Sequence, residues 1–220
     1  NSEVINSVRG ILIQKSWPGL YMGRISVTGG TFGMYRPAFK PDYPGQSAHG
    51  NIPYAGIDIF DAATITIGDE TQPPNIFHNM NIGVKGFRSR VDVVNFQADS
   101  IYRTLYYKSK PDGAAVSFLG DTSSGVMAPS NVNVWGTTDI LNCDAGVYSH
   151  FGSARVTGSR MTNVKTGIYM WGARTAMRGN FSNNSITAKQ YGILLNDNNG
   201  CSGVWAMDNI IVMNGDKYAT

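Results

Sequence analysis

The sequence predicts an all-β chain wound as a parallel β-helix. Three observations carry this: a 21-residue repeat, a recurring asparagine column, and segments that alternate apolar with polar side chains. Asp121-Thr-Ser-Ser-Gly125, Asn142-Cys-Asp-Ala-Gly146 and Asn163-Val-Lys-Thr-Gly167 stand 21 residues apart, and Asn184 follows 21 later. Val126, Val147 and Ile168 follow the glycines, and Trp135, Val156 and Met177 keep the same interval. A fixed period in this range marks stacked supersecondary units that bury their apolar faces against one another.

The content of the repeat selects strands over helices. Gly, Asn, Ser and Thr interrupt every window in which a helical period of about 3.6 would have to run. Arg24-Ile25-Ser26-Val27-Thr28 and Thr64-Ile65-Thr66-Ile67 alternate instead and are rich in β-branched residues. A 21-residue unit has room for about three short strands and their turns, which is one coil of such a helix. Asn142, Asn163 and Asn184, with Asp121, are expected to form one column along the axis, amide over amide. The glycines four residues later are expected to supply turns at little steric cost.

Along the chain, Gly19 to Gly29 resembles the copies at Gly146–Gly158 and Gly167–Gly179, so the winding is expected to begin near residue 5. Residues 31–55, with four prolines and the tyrosines Tyr35, Tyr43 and Tyr54, read as an ordered insertion loop; residues 68–82 read as a second. Gly192-Ile-Leu-Leu is a late copy displaced by four extra residues, and Asn209-Ile-Ile-Val-Met213 begins another coil. Insertions on a rigid scaffold are where binding residues tend to sit. The 220 residues show no composition shift and read as one domain, part of a larger polypeptide.

Composition narrows the partners. Lys and Arg total 18 against 15 acids, a net charge of +3 with no basic run, which argues against nucleic acid. No apolar run approaches the roughly 18 residues of a membrane span, so no membrane insertion is expected. Cys143 and Cys201 stand alone, and His49, His78 and His150 are scattered, so no metal site and no cofactor are expected.

The Gly-[Ile/Val/Leu]-Tyr and Asn-x-x-x-Gly coils, glycine-rich turns and aromatic insertions resemble the right-handed parallel β-helix family of pectate-lyase-like proteins, especially bacteriophage tailspikes. The resemblance covers residues 5–30 and 83–214. It implies a homotrimer in a virion tail or extracellular setting that binds, and in enzymatic members cleaves, bacterial surface polysaccharide; a non-catalytic structural or receptor-binding protein is the alternative.

Glycoside hydrolysis needs two carboxyl groups about 5.5 Å apart for retention or about 6.5–9.5 Å for inversion. The candidates are Asp58 and Asp61 in Gly56-Ile-Asp-Ile-Phe-Asp61, then Asp92 between Val91 and Val93, and Asp99. Each equally suits a solvated outer strand position. A lyase would instead need a base with a cation, and Arg155 and Arg174, with Arg88 and Arg90 on either side of Ser89, are candidates to contact an acidic glycan. Tyr21, Tyr148 and Tyr169 occupy one repeat position, open to three readings: an outward ladder for sugar rings, core stacking, or an interface in a trimer. Tyr43 and Tyr54 in the first insertion complete the candidate substrate-binding set.

Overall fold

The computed structural model describes residues 2–5, 9–14, 25–33, 54–62, 65–102, 113–121, 129–174, 176–198 and 200–215. Tyr21 and Tyr43 lie outside the described residues, as does Trp17. In chain order the strands are β1 (Ser2–Ile5), β2 (Arg9–Gln14), β3 (Ile25–Val27), β4 (Gly30–Gly33), β5 (Ala55–Phe60), β6 (Ile65–Ile67), β7 (Asn75–Met80), β8 (Ile82–Phe87), β9 (Arg90–Val94) and β10 (Phe96–Ile101). They continue as β11 (Ala114–Leu119), β12 (Ser130–Trp135), β13 (Thr138–Leu141), β14 (Ala145–His150), β15 (Gly152–Thr157), β16 (Ser159–Trp171), β17 (Arg178–Ser182), β18 (Ser185–Asn196), β19 (Gly203–Met207) and β20 (Ile210–Met213). Among the described residues there is no helix.

All strand pairs are parallel, and from β1 to β13 each strand pairs with the one three further along the chain. One arm of the large sheet runs β2-β5-β8-β11-β14 and the other β1-β4-β7-β10-β13. Both end on β16, whose first half pairs with β13 and second half with β14. The arms, with β18 and β20 added beyond β16, are therefore one 13-stranded sheet. The join is made by a single strand of 13 residues with a left-handed residue, Asn163 (φ 54°), inside it. A separate seven-stranded sheet runs β3-β6-β9-β12-β15-β17-β19.

This overturns the expected right-handed parallel β-helix with about 21-residue coils. The large sheet folds round until it is nearly closed like a barrel, a barrel-like all-β architecture. The 21-residue interval survives at three pairings: Tyr148 beside Tyr169, Ile140 beside Met161, and Phe77 beside Ala98. Other neighbours, such as Ile57 and Val84, Val116 and Val147, or Ile168 and Ile193, are separated by other intervals, because the connections differ in length. The 68–82 segment is corrected as well: Asn75–Met80 is β7, a strand of the large sheet.

The core follows from alternation. Ile57, Val84, Val116, Val147 and Ile168 occupy one inward row of the β2–β14 arm, all at most 1% exposed. On the opposite arm Phe32 stacks on Phe77 (5.1 Å, 12°), and Phe96 meets Phe77 edge to face. One continuous apolar cluster extends from Ile13 to Ala188.

Corners between strands leave backbone groups that no sheet ladder reaches, and one device closes them repeatedly. Asn75 accepts from Gly30 N (2.9 Å) and donates to Val27 O (2.8 Å). Asn184 treats Ser159 N and Val156 O in the same way, both at 3.0 Å. Asn198 does so for Ala173 N and Met170 O, and Asn209 for Asn184 N and Phe181 O. In every case the side chain spans the N–H of one residue and the C=O of the residue three before it, in an earlier pass of the chain. Ser89 and Ser130 close further corners with hydroxyls, Ser89 Oγ accepting from Ala62 N and Ser130 Oγ from Ser89 N.

The expected asparagine column is thus two structures. Asn163 donates to Asn142 (2.6 Å) and Asn142 to Asp99 (2.9 Å), forming a short ladder near the surface. Asn184 belongs to the buried bridges instead, and Asp121 lies at a distant ion cluster. The left-handed turn residues are Asn142 and Asn163 themselves. Gly146 and Gly167 serve close approach: a Cβ on Gly146 would stand 2.6 Å from Gly167 O, and one on Gly167 2.4 Å from Gly192 O.

Asn184→Ala would strand a buried N–H and a buried C=O together, so it is expected to destabilise the protein by about 2–4 kcal/mol in urea unfolding. A loss below about 1 kcal/mol would show that the bridge carries little.

Candidate functional site

Strict register turns alternating strands into straight rows of outward side chains. On the seven-stranded sheet Val91, Val93, Val132, Val134, Ala154, Val156 and Phe181 point into the core and are buried. The residues between them face out. One row is Asp92-Asn133-Arg155-Asn180-Trp205. A second contains Arg90, Asn131 and Ser153, continued by Arg178, whose backbone N–H donates to Ser153 Oγ (3.0 Å). A third is Val94-Trp135, continued beside them by Thr157, Ser182 and Met207.

The first two rows enclose an open concavity of about 300 Å³ lined by Arg90, Asn131, Asn133, Arg155, Arg178 and Asn180, with Ser153 and Ala154 as its floor. Its amides are oriented by hydrogen bonds: Asn133 Nδ2 donates to Asp92 (2.6 Å), and Asn131 Oδ1 accepts from Ser153 N (3.3 Å). On the same face Trp205 continues the first row beyond Asn180 and Trp135 stands in the third row beside Asn133, 46% and 40% exposed. This face offers planar rings, planar amides and guanidinium groups on a backbone fixed by sheet hydrogen bonds.

The outer face of the β2–β14 arm is different. Asp58, Lys85, Ser117, Tyr148 and Tyr169 share one row, and Phe60, Phe87, Leu119, His150 and Trp171 the next. Asp58 is 0% exposed, with Lys85 Nζ 3.8 Å from its carboxylate; the same ammonium lies 4.8 Å from the ring centre of Tyr54, which is itself buried. Tyr148 is also buried and meets Tyr169 edge to face at 5.0 Å, and burial pushes its hydroxyl pKa far above the usual tyrosine value. The tyrosine row therefore points away from the main core yet forms a covered cluster of its own, with Tyr169 half-buried at its edge. His150 stacks on Trp171 (4.5 Å, 22°). At the end of this row Arg88 is held between Asp61 (Nε to Oδ1, 2.6 Å) and Asp121 (3.3 Å), which raises the guanidinium pKa.

A third region lies beside the Asp99-Asn142-Asn163 ladder. There Tyr102, Asp144, Lys165 and Lys189 line a concavity of about 430 Å³. Partial burial raises the pKa of Tyr102. Cys143 forms part of its wall; it is a free, buried thiol whose pKa burial drives well upward, which makes it inert as a nucleophile.

The four candidate acids lie on three different faces. Asp58 and Asp61 belong to β5 and its following turn, Asp92 to β9 of the other sheet, and Asp99 to β10 of the opposite arm. Each has a local partner in Lys85, Arg88, Asn133 or Asn142. Arg155 and Arg174 also separate: Arg155 lines the concavity of the seven-stranded sheet, while Arg174 is tied to Asp197 through its carboxylate (3.1 Å) and backbone oxygen (2.6 Å). Among the described residues no three His, Cys, Asp or Glu side chains cluster as metal ligands.

Sequence reasoning missed Arg178, Asn131, Asn133 and Asn180 as site residues. The signal available was the alternation Asn131-Val-Asn-Val-Trp135, which marks the outward positions of β12 as amide, amide and indole. No family model, curated protein or solved structure matches this chain.

His150 gives the outer face of the β2–β14 arm a pH signature. Burial, and then the positive charge of Arg174, lower its pKa below the usual 6.5. The unfolded chain takes up that proton near pH 6.5 and the folded chain only at lower pH, so in this window the unfolded state binds more protons and stability falls as pH drops. His150→Phe is expected to lose less stability between pH 7.5 and 5.5 than the parent in urea titrations; parallel pH curves would contradict this assignment.

Proposed function

We propose that this chain is a polysaccharide-binding protein of a virion tail or other extracellular surface, and that it holds a bacterial surface glycan along the outer face of the seven-stranded sheet. The observation that carries the reading is a concavity lined by oriented amides on the same sheet face as the exposed Trp135 and Trp205. Sugar rings present apolar C–H faces and equatorial hydroxyls. Indole rings stack on the former, and Asn and Arg side chains bond the latter in pairs. The parallel sheet fixes these groups before the ligand arrives, which lowers the ordering cost of binding.

Binding without cleavage is the part the geometry favours. Asp58 with Asp61, Asp92 and Asp99 occupy three faces, and none of these faces offers two of the candidate acids free of a local partner. Homotrimer assembly belongs to the same proposal. Its support is the exposed apolar end of the fold, where Ile210, Ile211, Val212 and Met213 are 42–66% exposed on the terminal strand β20.

The test is binding of the purified protein to a panel of capsular and O-antigen polysaccharides. Trp135→Ala and Trp205→Ala are each expected to weaken binding roughly tenfold, with no new reducing ends and no unsaturated sugars in the product. Binding unchanged in both variants would move the site elsewhere, and release of oligosaccharides would overturn the non-catalytic reading.

A further inference from the structure

The arginines divide in a way that charge balance alone does not explain. Among those whose side chains are described, Arg88, Arg160 and Arg174 each pair with a carboxylate: Asp61 and Asp121, Asp139, and Asp197. Arg90, Arg155 and Arg178 have no ion pair among the described residues, and all three line one concavity on the seven-stranded sheet. The carboxylate in their rows, Asp92, is engaged by Asn133. A scattering of surplus charge over the surface would cost less than gathering three like charges in one hollow.

We infer that the glycan bound on this face is anionic, with a carboxylate of the saccharide seated between Arg155 and Arg178; the inference rests on the polysaccharide reading above. Arg155 and Arg178 stand on neighbouring strands, because Arg155 is in register with Asn180, two residues along from Arg178. Strand spacing and rise put their Cα atoms about 8 Å apart, within reach of one oxyanion from two long side chains. A guanidinium donates two parallel hydrogen bonds to a carboxylate, which is the geometry a uronic acid group supplies. Arg90 lies two strands further back in the same hollow, about 12 Å from Arg155, and meets a second anion of a repeating polymer. Asn180, in register with Arg155 and lining the same hollow, offers its side-chain amide to a sugar hydroxyl between them.

The experiment compares a hyaluronan tetrasaccharide with its carboxyl methyl ester by isothermal titration, on the parent protein, Arg155→Gln, Arg178→Gln and Trp205→Ala, each checked for its fold by circular dichroism. The parent is expected to bind the acid at least tenfold more tightly than the ester, and the preference shrinks as salt is raised from 50 to 500 mM (about the range over which screening becomes strong). Each arginine variant removes about tenfold of acid affinity and leaves ester binding as it was, whereas Trp205→Ala weakens both ligands alike. Equal affinity for acid and ester, or an acid preference that survives in Arg155→Gln/Arg178→Gln, overturns the inference while the polysaccharide reading stands. Inorganic phosphate displacing the tetrasaccharide at equal concentration reassigns the hollow to a free anion and overturns it. No binding of either saccharide by protein that binds a neutral polysaccharide of the panel above overturns the inference and leaves the polysaccharide reading standing; no binding to the whole panel overturns that reading itself.

Discussion

The fold depends on how its corners are closed. Parallel strands that follow one another in space must be joined by turns whose N–H and C=O groups point inward, where water does not reach and no neighbouring strand lies opposite. An unmet buried group costs about 1–3 kcal/mol, so a chain with many such corners fails unless each one is satisfied. Asn75, Asn184, Asn198 and Asn209 solve this identically, each placing one amide across the N–H and the C=O of a corner in an earlier pass. An amide suits the task because it carries a donor and an acceptor on one rigid plane. At other corners the hydroxyls of Ser89 and Ser130 accept from the N–H groups of Ala62 and Ser89.

Closing the corners fixes the register, and the register makes the surface. Because neighbours in one row are separated only by the strand spacing, about 4.8 Å, a side chain's environment is set by the residues before and after it in the row more than by its sequence neighbours. Three faces result, with distinct chemistry. The β2–β14 arm carries rings and internally paired charges such as Asp58 with Lys85 and Asp61 with Arg88. The β1–β13 arm carries the Asp99-Asn142-Asn163 ladder. The seven-stranded sheet carries amides, exposed indoles and arginines that lack an acidic partner among the described residues.

Much of this was legible in the sequence, and the failures have physical causes. Alternation located β3, β5, β6 and β9 and set Ile57, Val91 and Val93 inward and Asp58 and Asp92 outward, as observed. The 21-residue interval was real but local, because corners tolerate connections of different length so long as the strands that follow keep their pairing. Closure of the large sheet was invisible, since it turns on one strand, β16, bending at Asn163 and pairing with two different partners. Strand β7 was hidden behind Pro73 and Pro74 and by its polar Asn75, His78 and Asn79, although Asn75 is buried as a corner bridge. The tyrosine row illustrates a further limit: periodicity placed Tyr148 beside Tyr169, but whether the row was covered depended on packing from outside the repeat.

The functional reading follows from the one face whose polar groups are oriented but not consumed by each other. Acids that drew attention in the sequence are absorbed into local pairs, and residues that drew none, Arg178, Asn131 and Asn180, converge on one hollow through register alone. The most direct measurement is a crystal structure of the protein with an oligosaccharide prepared from a polysaccharide it binds. Sugar rings lying across β12, β15 and β17, in the hollow of Arg155 and Arg178, are the predicted result. Sugar bound instead along the Phe60–Trp171 row, or in the hollow of Tyr102 and Lys165, would contradict it.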